Sequence, residues 1–125
     1  MPYINVCMSK KLEKQDRDEL ARELGKIIPI IPGKTERGFF VDIEDGKEMY
    51  NGGESGNFVY LELKIYWTCD YEFRSAFTAA VFEIFNRRYG VEGHNMYLNI
   101  TQCDNWGVFG KLMVEAPPAP PPVRG

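Results

Sequence analysis

Phe58-Val59-Tyr60-Leu61-Glu62-Leu63-Lys64-Ile65-Tyr66-Trp67 is the stretch on which the fold turns. After Tyr60, the apolar Leu61, Leu63 and Ile65 alternate with Glu62, Lys64 and Tyr66, the period-two pattern of a strand with one buried face. Downstream, Phe73, Phe77, Ala80, Val81, Ile84 and Phe85 recur at helical spacing behind Asp70, a residue type that suits an N-cap. That apolar stripe belongs to a core-facing helix and stops at Arg87-Arg88-Tyr89-Gly90. Met96-Tyr97-Leu98-Asn99-Ile100-Thr101-Gln102 supplies the next strand, so residues 58–102 spell strand, helix, strand.

The same order is written upstream. Residues 3–8 are rich in β-formers, Ser9 can cap a helix, and Leu12, Leu20, Ala21, Leu24, Ile27 and Ile28 mark that helix, ending near Pro29. A Pro29–Gly33 turn leads to Gly38-Phe39-Phe40-Val41-Asp42-Ile43-Glu44, the second strand of this unit. Between the units, Met49 to Asn57 reads as a glycine-rich loop without regular structure, and Asp104 to Gly110 as a turn-rich aromatic segment. Two tandem βαβ units with right-handed crossovers predict an α+β fold: a four-stranded mixed sheet with two helices on one face. The other face lacks a cover, which points to an oligomer that packs sheets together. One domain is expected over residues 1–112. Residues 113–125 form a proline-rich tail, extended or disordered, and a candidate ligand for a proline-binding partner protein.

Composition narrows the function classes. A formal charge of −3 supplies no basic field for phosphate and argues against nucleic-acid binding. Three scattered cysteines without a CxxC indicate neither a disulfide framework nor a zinc knuckle, and the one histidine, His94, cannot build a histidine metal site. No apolar run approaches the roughly 20 residues needed to span a bilayer. The expectation is a soluble cytoplasmic protein without metal or cofactor.

Pro2 is the residue with chemistry to offer. If Met1 is removed, Pro2 becomes a secondary amine on a rigid ring. Such an amine titrates not far above neutral and falls further when desolvated, which suits a general base. Pro2, Gly33-Lys34, Met49 with Gly52-Gly53, Tyr97-Leu98-Asn99 and Asn105-Trp106-Gly107 together resemble the tautomerase superfamily, and within it the macrophage migration inhibitory factor group. The resemblance spans about residues 2–110.

It implies a homotrimer with active sites between subunits and a keto–enol tautomerase acting on an α-keto carboxylate such as phenylpyruvate. Pro2 would be the catalytic base and Lys34 the carboxylate ligand, aided by a backbone N–H at Ile65 or Tyr66. Tyr97 and Asn99 would come from the neighbouring subunit. Trp106 would shape an aromatic wall, with Phe109 standing, after Val108, where relatives often show Trp-Asn. The thiol oxidoreductase CxxC of the group would fall near Asn57 to Tyr60, where no cysteine stands, so that activity is not expected. Two alternatives accompany the tautomerase: a trimeric interaction protein with a vestigial pocket, and a hydratase or dehalogenase, for which only Arg74 of the required arginine pair is present.

Overall fold

The strand that starts the chain becomes an interior strand of the sheet. A computed structural model describes residues 2–113. Its order is β1 (Pro2–Met8), α1 (Lys14–Ile27), β2 (Phe40–Glu44), β3 (Tyr50–Asn51), β4 (Glu54–Ser55), β5 (Val59–Tyr66), α2 (Tyr71–Tyr89), β6 (Met96–Cys103), β7 (Trp106–Val108) and β8 (Lys111–Met113). The main sheet runs β2-β1-β5-β6, parallel within each βαβ unit and antiparallel where β1 meets β5. This is the predicted architecture, and the proline-rich tail lies outside the described residues.

Alternation decides the layers. Ile4, Val6 and Met8 of β1 and Leu61, Leu63 and Ile65 of β5 are buried on the helix side, against Leu20 and Leu24 of α1 and Phe77, Val81 and Phe85 of α2. Each such side chain contributes about 1.5–3 kcal/mol on burial, so this single core holds the domain together. At the far ends of the helices Arg88 binds Asp16 at 2.8 Å, Glu19 at 3.3 Å and Glu23 at 3.2 Å, tying α2 to α1. The opposite sheet face is polar: Tyr3 and Asn5 donate to Asp42, and Asn5 also to Glu44.

Several local expectations need correction. Ser9 does not cap α1; its hydroxyl accepts the Phe58 N–H at 2.8 Å, locking the two interior strands together, and the helix starts later behind Glu13. Asp70 does occupy the N-cap of α2, but without a side-chain cap hydrogen bond. Residues 49–57 are not wholly irregular, since β3 pairs with β4 across Gly52-Gly53. The segment beginning at Trp106 is likewise a hairpin, β7 with β8. Both ladders are too short for periodicity to reveal. The α2 terminus is as expected: Gly90 takes the left-handed conformation at φ 68° and its N–H closes on Asn86.

Candidate active site at the open end of the sheet

Four features meet where β1 begins. Pro2 pairs with Ile65 near the end of β5 and is buried. The α1–β2 connection brings Thr35, Arg37 and Gly38, β2 brings Phe40, and the β7–β8 hairpin brings Trp106, Gly107, Val108 and Phe109. With Pro2, Tyr3 and Lys64 these line a cleft of about 910 Å³. Its walls are largely aromatic and aliphatic, a composition that suits a small-molecule site with a few polar groups to orient the ligand.

The hairpin is built to present its tip. Phe109 and Gly110 both have positive φ, 55° and 77°, which suits a two-residue connection twisting with its strands. Glycine adopts this conformation freely, whereas an aromatic residue does so at a cost. Phe109 is nonetheless 86% exposed at the cleft rim, so its ring is available to whatever enters.

Lys34 reaches the same end of the sheet by another route. Gly33, with φ 81°, turns the chain, and the Lys34 ammonium donates to the Tyr66 carbonyl at 3.1 Å. Tyr66 is the residue after Ile65, the cross-strand partner of Pro2. Burial pushes the Lys34 amine below its ordinary value, and a charge on nearby Cys69 opposes this only in part. The Tyr66 ring stands 6.5 Å from the Trp106 ring, joining the end of β5 to the hairpin wall.

Of the sequence-predicted residues, Pro2, Trp106 and Phe109 line the cleft, Ile65 and Tyr66 end the strand beside it, and Lys34 is anchored on Tyr66. Tyr97 and Asn99 are not brought into it. They stand exposed on β6, where Tyr97 opposes Tyr60 and Asn99 opposes Glu62; those residues in turn oppose Cys7 and Asn5, well along β1 from Pro2. Arg74 is also elsewhere, donating to the Cys69 carbonyl and lining a groove between α2 and β6.

Arg37, Phe40, Tyr3 and Lys64 were missed. Lys64 reads in sequence as the solvent side of a strand, and Arg37 as part of a charged linker. Only the pairing of β1 with both neighbours discloses that these positions converge.

No protein-family model matches the chain, and no curated protein matches it in sequence. Its fold is shared by solved structures. MIF2 of Leishmania major is 18% identical, with a TM-score of 0.82 over 90% of this chain and 97% of that one. The macrophage migration inhibitory factor-like protein of Entamoeba histolytica is 20% identical, with a TM-score of 0.78 over 90% of this chain and 98% of that one. Pt0534, solved after inactivation by 2-oxo-3-pentynoate, is 16% identical, with a TM-score of 0.76 over 87% of this chain and 93% of that one. At such identities the likeness establishes the fold.

Proposed function

We propose that this chain, which has the fold of macrophage migration inhibitory factor, is a cofactor-independent keto–enol tautomerase. Its substrate is a small α-keto carboxylate such as phenylpyruvate, and its general base is the Pro2 amine freed by removal of Met1. The observation that carries this reading is the position of Pro2: a buried strand residue lining an apolar-walled cleft, with a lysine anchored one residue beyond its strand partner.

That placement supports a stepwise proton transfer. The substrate carboxylate pairs with the Lys34 ammonium and a backbone N–H at Ile65 or Tyr66, which orients the carbonyl. The neutral Pro2 amine takes a proton from the carbon α to the carbonyl; the electron pair of that C–H bond forms the C=C bond as the carbonyl π pair moves onto the oxygen. The resulting prolinium returns the proton to that oxygen, so the enol forms with no net gain or loss of protons. Apolar walls and neighbouring cations both favour the neutral amine over the charged one. The inactivation of Pt0534 by an α-keto acid is in keeping with an α-keto site in this fold. Tyr97 and Asn99 join the cleft only if a second chain supplies them, which a homotrimer would do. Three cysteines without a disulfide accord with a cytoplasmic setting.

The test is Pro2→Ala, verified by mass to have lost Met1. Its kcat/KM for phenylpyruvate tautomerisation should fall about 100-fold or more. Undiminished turnover would overturn the assignment.

A further inference from the structure

We infer that the cleft is made for a keto dicarboxylate, with Arg37 and Lys64 receiving a second carboxylate that phenylpyruvate does not possess. This rests on the tautomerase reading and names its substrate class. Arg37 and Lys64 enter the cleft from opposite sides of β1, one from the loop before β2 and the other from β5. No aspartate or glutamate lines the cleft among the described residues. The whole chain carries a net charge of −3, so this local excess of cations runs against its composition.

Among the described residues, the side chains of Arg37 and Lys64 form no hydrogen bond or ion pair; Arg17, Arg74, Arg87 and Arg88 have partners, and Arg22, which has none, lies on α1 outside the cleft. Lys34 serves the carboxylate next to the carbonyl, and a keto monoacid would leave the other two cations facing an aromatic or alkyl group. A dicarboxylate satisfies them: the Arg37 guanidinium can grip a carboxylate with two parallel N–H donors, and Lys64 adds a point charge. The arrangement also suits the reaction. In a four-carbon keto diacid the proton that Pro2 removes sits between the carbonyl and the second carboxylate. The negative charge that develops on the carbonyl oxygen and on the carbon losing that proton is repelled by the adjacent carboxylate, and fixed cations at Arg37 and Lys64 offset this repulsion in the transition state.

The experiment compares oxaloacetate with phenylpyruvate as tautomerisation substrates of the chain with a free Pro2. It also compares 2-oxoglutarate with 2-oxobutyrate as ligands by calorimetry. Oxaloacetate should lead in kcat/KM by about tenfold or more, and 2-oxoglutarate should bind tighter by a similar factor. Arg37→Ala and Lys64→Ala should each collapse both ratios, and Arg37→Lys should restore them in part. Equal or reversed ratios in the parent chain, or ratios unmoved by both alanine variants, would overturn the inference while leaving the tautomerase reading intact. If neither substrate is turned over yet 2-oxoglutarate keeps an Arg37-dependent advantage, the tautomerase reading fails and the dicarboxylate site stands.

Discussion

At Lys34 a charge sits half-buried against a single carbonyl, that of Tyr66, and burial lowers its pKa. The desolvation cost is felt while the amine is protonated, below the folded pKa. It is relieved as pH rises through the interval between the folded value and the higher unfolded one, so here stability increases with pH. An arriving carboxylate reverses the preference, because it stabilises the ammonium. KM for a keto acid should therefore rise as pH climbs past the lowered Lys34 pKa. Lys34→Met should raise KM by about tenfold and flatten that alkaline limb; a limb that survives in the variant would show that another group titrates. Gly33-Lys34 could be singled out in the sequence because a glycine turn fixes the lysine locally. Arg37 and Lys64 could not, since their meeting depends on pairing between strands distant in the chain.

Among the elements, the entry to α1 is held from outside the helix, just ahead of its N-cap Glu13. The Asp45 carboxylate accepts the N–H of buried Leu12 at 2.6 Å and lies 3.6 Å from Arg17. The Leu12 N–H is the leading reason that the Asp45 carboxyl is held below its usual range. A carboxyl depressed on folding stabilises above its unfolded pKa, near 3.9, and loses that contribution as pH falls through the folded value. Asp45→Ala leaves the Leu12 donor without its acceptor and should cost about 1–3 kcal/mol in urea unfolding at neutral pH. The parent's advantage over the variant should shrink as the medium is acidified below that range; a constant difference would exclude Asp45 as the titrating group. The strands and helices of the two βαβ units were legible because their apolar residues keep one period over whole elements. The hairpin from Trp106 was not, because β7 and β8 span three residues each and the turn uses Phe109, which carries no turn signal.

For the molecule as a whole, the polar sheet face is the part that no element covers among the described residues. Tyr97 is 66% exposed, and Asn99 stands beside it on the same face. The bare face could be foreseen from alternation alone, but its proposed occupant comes from the family resemblance. A shared site makes a specific prediction. Mixing Pro2→Ala chains with Asn99→Ala chains, each inactive alone, should restore part of the activity once subunits exchange, because some interfaces then carry both original residues. No recovery after exchange, monitored by native mass spectrometry, would place the whole site within one chain. One consequence of β1 starting at Pro2 concerns how the protein is prepared. Any purification tag joined ahead of that residue acylates its nitrogen, while the pairing of Tyr3 to Met8 with β2 and β5 requires nothing from the nitrogen. If Pro2 is the base, such a preparation would be a well-folded but inert twin, and in a homotrimer with shared sites it would silence part of every assembly it entered.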